Sequence, residues 1–174
     1  MALDGAGFRA WHVSRPEHGF SKSRFGIRWL NPIRVRSEER HLAGRIDIDR
    51  KHPGRATLAA RRVLASGDIV SITAGAWEGR SLAPAQMFGG VLELVVGAPR
   101  LSLLTGAALL PVVAIHESAG LGVRVVIGRP LSAPAGTVGE AAVVALTQTF
   151  VNETVPYIRD HPDQWRDWKN LRFG

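Results

Sequence analysis

One stretch, residues 67–111, limits what this chain can fold into more than any other. Ile69, Val70 and Ile72 form a short apolar run with the character of a strand buried on both faces. The run opens into a loop that holds Gly75, Trp77, Glu78, Gly79 and Arg80. A second apolar segment, a short helix over 99–105 and a strand over 107–115 follow. In open α/β sheets, ligands bind beyond the C-terminal ends of the strands, where such a loop emerges. Glycines there let backbone approach a ligand closely, and Arg80 offers a planar fork for a phosphate or carboxylate. An ordinary surface loop with a solvated ion pair would use the same residues.

Around this stretch the hydrophobic spacing predicts an α/β order. Residues 7–14 and 45–49 alternate like short strands. Phe20, Phe25 and Trp29 suggest a short helix face over 23–30, which Gly26 weakens. A helix is expected over 53–65, with Leu58, Ala59, Ala60, Val63 and Leu64 on its apolar side and Gly67 just past its end. Pro99 and Gly106 mark the start and stop of the short helix. Residues 122–128 read as a strand. A long helix over 139–158 carries Val143, Leu146, Phe150, Val151 and Val155 at helical spacing, with Pro156 expected to kink or end it. The expected fold is an α/β single-domain sandwich over 1–174, with a mostly parallel central sheet flanked by helices. In that fold, the runs at 69–73 and 109–115 are expected to be neighbouring, largely buried central strands.

Composition narrows the function classes. The chain has no cysteine, which excludes disulfides and cysteine-ligated zinc. Its net charge is +7, which favours anionic partners, and Arg24, Arg28, Arg34 and Arg36 make residues 16–36 the most basic part. No apolar run reaches membrane-spanning length, and residues 1–9 lack the apolar region of a signal peptide. No pair of its six histidines has zinc-like spacing. No phosphate-binding glycine loop is present. His12 and Glu17 fit a His-x4-Glu spacing, which can hold a general base beside its orienting carboxylate, although His12 falls in a predicted strand. His116 follows a strand end. Trp165 and Trp168, three apart, read as a helix face packed on the core.

Several blocks, taken in order, resemble the lysophospholipid acyltransferase superfamily, most closely its lipid A lauroyl/myristoyl (late) acyltransferase branch. They are Val13-Ser14-Arg15-Pro16, the helix-and-strand run at 60–72, and Phe88-Gly89-Gly90. Gly97-Ala98-Pro99, Thr105-Gly106-Ala107 and Leu110-Pro111-Val112 follow. The last is the ending from Tyr157-Ile158-Arg159-Asp160-His161-Pro162 to Trp165, with Trp168. The resemblance implies an acyltransferase-like fold. It also implies transfer of a fatty acyl chain from an acyl-carrier protein or acyl-CoA thioester to a lysophospholipid or lipid A-type glycolipid hydroxyl. No cofactor is implied. The partners implied are the thioester donor, an anionic lipid or glycolipid acceptor and a membrane surface, with no nucleic acid. The place implied is peripheral, on the cytoplasmic face of the inner membrane.

The chain also departs from the family pattern. Aligned on Arg15-Pro16, the family's His-x4-Asp/Glu motif falls before Met1, together with the N-terminal membrane helix and first βα unit. The chain therefore reads as an N-terminally truncated member with little turnover expected. His12 and Glu17 match the spacing one strand too late and stand as the only catalytic candidates. Glu78-Gly79-Arg80 resembles the family's Glu-Gly-Thr-Arg block, short by one residue, and implies binding of the acceptor's anionic group, with Arg15 beside it. The apolar region 88–94 is expected to help hold the acyl chain. A catalytically silent lipid-binding or interaction fragment of the same fold is the alternative, with a basic nucleic-acid-binding module third.

Overall fold

The computed structural model describes residues 5–14, 23–49, 51–75, 81–117 and 122–174. They divide into two compact units, Met1–Thr73 and Ala74–Gly174. The chain is α/β, and the described residues form one parallel sheet and two antiparallel strand pairs.

The first unit is built on three parallel strands, β1 (Ala10–Ser14), β2 (Gly44–Asp47) and β3 (Ile69–Ile72), in the order β2-β1-β3. Parallel neighbours need long connections. A π-helical turn (Gly26–Leu30) and helix α1 (Asn31–Glu39) join β1 to β2, and α2 (Pro53–Ala65) joins β2 to β3. Proline fits the first turn of α2, where a backbone N–H would have no helical partner. Gly67 ends the helix at φ 81°, which costs an L side chain but not glycine. Around it, the Gly67 and Asp68 N–H groups donate to the Leu64 and Val63 carbonyls at 3.1 and 3.2 Å. α2 packs on β2 and β3, with Ala60 buried.

Trp11 pins the sheet. A Cβ on Gly44, its register partner on β2, would overlap the indole ring, so the ring lies where only glycine fits. Trp11 Nε1 donates to Asp68 Oδ2 at 3.0 Å, and the Arg9 guanidinium reaches the same oxygen at 3.3 Å. One carboxylate just before β3 thus ties the starts of β1 and β3 together.

The second unit centres on the hairpin of β4 (Leu82–Met87) and β5 (Gly90–Val95), covered by α4 (Gly139–Asp160). Ala83, Ala85 and Met87 alternate inward, and the two alanines let α4 lie close. Met87, Leu92 and Leu94 bury against Val151 and Leu171. The two-residue turn, Phe88-Gly89, has φ of 50° and 78°, the sign that short hairpins prefer. Such a φ is strained for phenylalanine. Phe88 stacks on Trp168 with centroids 5.4 Å apart, and Trp168 meets Trp165 edge-on at 4.6 Å. These two tryptophans flank and enter a short 3₁₀ turn (Asp167–Asn170) rather than sharing one helix face. α4 runs past Pro156 to Asp160, so the proline does not stop it.

The hairpin edges are capped. Gln148 accepts from the Gln86 N–H at 2.7 Å and donates to the Gln86 carbonyl at 3.0 Å, closing the outer side of β4. On the other side, Val91 and Arg172 exchange backbone bonds of 2.8 and 2.9 Å. The second strand pair joins β6 (Val112–His116) to β7 (Val123–Ile127), after α3 (Gly97–Thr105).

The α/β content and most element positions match the sequence expectations, but the strand pairing does not. β3 pairs parallel with β1 and is only half-buried, whereas β6 pairs antiparallel with β7. The expected pairing of these two runs is therefore replaced by two separate ladders. Continuous apolar character marks a strand without naming its partner.

Candidate functional site

One face of the parallel sheet carries polar side chains toward its C-terminal end. Side chains alternate along each strand. Val13 and its partners Ile46 and Ile72 share the face that holds buried Ile46. His12, flanked in register by Arg45 and Ser71, shares the other face with Ser14 and Asp47. Arg45 Nη2 donates to Ser14 Oγ at 2.8 Å, which draws the guanidinium to the C-terminal end of the sheet. His12 is half-buried on the central strand. The cluster joins a titratable ring, a hydroxyl, a guanidinium and a carboxylate. It can hold an anion and exchange a proton.

Of the candidate catalytic and substrate-binding residues, His12 lies among the described ones. Arg15, Glu17, Glu78, Gly79 and Arg80 lie outside them. The backbone that leads to Arg15 and Glu17 is described. β1 and β3 run parallel in register from Ala10↔Ile69 to Val13↔Ile72, so the chain leaves both strands at one end of the sheet. Sequence reasoning missed Arg45 and Ser14. The signal was present in the alternation Arg45-Ile46-Asp47, which puts arginine and aspartate opposite buried Ile46.

The second unit carries a shallow apolar groove of about 430 Å³. Leu103, Gly106 and Ala107 line one side, Pro130 and Leu131 another, and Leu146 of α4 also contributes. The Thr105-Gly106-Ala107 block shapes its edge. Gly106 ends α3 at φ 71°, Thr105 Oγ1 donates to the Leu101 carbonyl at 2.7 Å, and the Leu131 N–H donates to the Leu109 carbonyl at 2.8 Å. Ser102 and Ser132 also line the groove, and no charged side chain does, so it suits an uncharged ligand. By contrast, the region 88–94 expected to hold acyl chain spends its apolar side chains on the core, where Leu92 and Leu94 are buried. Fully packed side chains leave no open surface for a ligand.

Other titratable groups are less promising. His116 ends β6, exposed, and its backbone N–H and carbonyl are both held by Gln164 at 2.8 and 2.9 Å. Asp49 accepts from the Lys51 N–H at 2.8 Å and lies 3.0 Å from the His52 ring, and these bonds hold its carboxyl below the usual range. Among the described residues, no three His, Cys, Asp or Glu side chains converge to hold a metal ion.

Comparison with protein-family models and with curated protein sequences finds no match to this chain.

Proposed function

We propose that this chain is the core of an acyltransferase of the lysophospholipid acyltransferase kind, with that family's single-domain sandwich fold. It would move a fatty acyl chain from an acyl-carrier protein or acyl-CoA thioester to a lysophospholipid or lipid A-type glycolipid hydroxyl. In this reading it works as a peripheral protein on the cytoplasmic face of the inner membrane, without a cofactor or nucleic acid. Arg15, Glu78, Gly79 and Arg80 bind the anionic acceptor. The observation that carries the reading is the pair of in-register parallel strands β1 and β3, which end together at one end of the sheet, where Arg45 meets Ser14. The apolar groove of about 430 Å³ adds support, since small-molecule sites typically span about 300–1,000 Å³.

The chemistry needs a hydroxyl made nucleophilic by a base, and donors for the oxyanion that forms as it attacks the thioester carbonyl. The arginines supply charge for the acceptor. A second reading is a catalytically silent lipid-binding fragment. It is favoured by the position of His12 within a strand rather than on a loop free to meet a hydroxyl.

Acyl transfer and headgroup binding separate the readings. The chain is expected to show little turnover, while a longer form carrying an upstream His-x4-Asp/Glu motif turns over. Loss of a general base costs about 10²- to 10⁴-fold. Robust turnover of this chain that vanishes in His12→Ala would make His12 the base. Arg80→Ala is expected to weaken binding of an anionic headgroup roughly tenfold or more. Unchanged affinity with lowered thermal stability would leave Arg80 a structural role and overturn the assignment.

A further inference from the structure

Residues 1–73 hold 14 of the 22 lysines and arginines but only 7 of the 15 acidic residues, so the whole net charge of +7 falls in the first unit. One helical segment, residues 24–39, holds four of these arginines, Arg24, Arg28, Arg34 and Arg36, with Glu38 and Glu39 at its end. Its apolar residues Phe25, Trp29, Leu30 and Ile33 are 53–66% exposed. None of this segment packs extensively on another described element of its unit; the π-turn and α1 pack chiefly on each other.

The π-turn organises the exposed surface. In a regular α-helix, positions four apart drift by about 40° around the axis. The turn at Gly26–Leu30 closes with the Asn31 N–H donating to the Gly26 carbonyl, an i→i+5 bond that holds more residues per turn. This wider turn offsets part of the drift of the α-helix that follows, and at four-residue spacing Phe25, Trp29 and Ile33 share one face. Arg24, Arg28 and Arg36, all exposed, form a second line beside it.

From this arrangement we infer that residues 24–39 dock the protein on an anionic lipid bilayer. The Phe25–Trp29–Ile33 line enters the headgroup boundary, and the arginines bind lipid phosphates. Tryptophan and phenylalanine suit the interface, arginines beside them answer its negative charge, and bilayer contact removes from water the apolar area the fold leaves exposed. A single-stranded nucleic acid would engage the aromatic rings and arginines. It gives Leu30 and Ile33 nothing to pack on, so the aliphatic half of the surface favours lipid. The inference shares only the membrane with the acyltransferase reading. Its test involves no turnover, so either can fail alone.

The test is co-sedimentation of the full chain with vesicles of phosphatidylcholine, with and without about one-third phosphatidylglycerol, near 0.1 M salt. Selective binding to the anionic vesicles is expected. The triple variant Arg24→Gln, Arg28→Gln, Arg36→Gln should lower it about a hundredfold, at roughly fivefold per arginine. The variant Phe25→Ser, Trp29→Ser should lower it by at least about tenfold while melting like the parent chain. Because these side chains are exposed, folding should survive, and the charge variant provides an independent check. Failure to bind anionic vesicles, or binding unchanged in both variants, overturns the proposal. So does tight binding to a single-stranded oligonucleotide that the Phe25→Ser, Trp29→Ser variant abolishes while vesicles remain unbound.

Discussion

Gly90→Ala tests how the second unit holds its C-terminal segment. A Cβ at this position would lie 2.7 Å from the Arg172 carbonyl oxygen and 3.2 Å from two carbons of Leu171. The first neighbour is backbone, so it cannot swing aside as a side-chain tip would. Two responses are open. The tail can stay docked and the hairpin absorb the overlap, at a cost of about 1–3 kcal/mol by analogy with overpacked cores. Alternatively, the tail can peel away. That loses two backbone hydrogen bonds between Val91 and Arg172, worth about 1 kcal/mol each. It also exposes Leu171, which is 8% exposed when docked, for about 2 kcal/mol more. The first route is cheaper, and restricting the unfolded chain returns about 0.4–1 kcal/mol. The expected net loss is therefore about 1–2 kcal/mol, a fall in Tm on the order of 5–15 °C for a unit of this size. Thermal denaturation followed by circular dichroism measures it. Removing residues 171–174 supplies the control, because Gly90→Ala should then cost almost nothing. An undiminished cost in the shortened chain, or no cost in the full one, would refute the argument.

Two further predictions follow from the first unit. Gly44→Ala drives a Cβ into the Trp11 ring and should break its bond to Asp68, costing about 2–3 kcal/mol; denaturant unfolding with retained stability would show that the ring has room to move. Asp49 should titrate below its ordinary value of 3.8, chiefly through the Lys51 N–H and then through His52. A carboxyl lowered in the folded state adds stability that is present above its unfolded value and is lost as pH falls through the lower folded value. A carboxyl titration by NMR should place the Asp49 midpoint below 3.8 and move it upward in His52→Ala.

What the sequence determined by itself was local. Helix α2 was legible because Pro53 and Gly67 bracket an apolar face, and α4 because its buried positions recur at helical spacing. β3 and β7 were legible as apolar runs between turn residues. The β4–β5 hairpin was hidden for two reasons. Its turn is Phe88-Gly89 rather than a pair that tolerates positive φ at both positions, and Pro84 argues against a strand. The structure resolves the second point. Pro84 has the same parity as Gln86, whose N–H points away from β5 to Gln148, so the missing donor breaks no ladder bond.

Only the tertiary structure decided pairing. Nothing in Ile69-Val70-Ser71-Ile72 names β1 as its partner, because apolar strands are interchangeable until connections and registers exclude the alternatives. The candidate site divides the same way. His12 was visible as a residue type, and Arg45 as one more arginine. Their placement in register on one sheet face, with the guanidinium held by Ser14, depends on β2 lying beside β1. The four-residue spacing of Phe25, Trp29 and Ile33 was legible as one helical face, whereas the π-turn within that face was not. Sequence specifies which side chains an element carries. The fold decides which of them meet, because meeting depends on pairings between segments far apart in the chain.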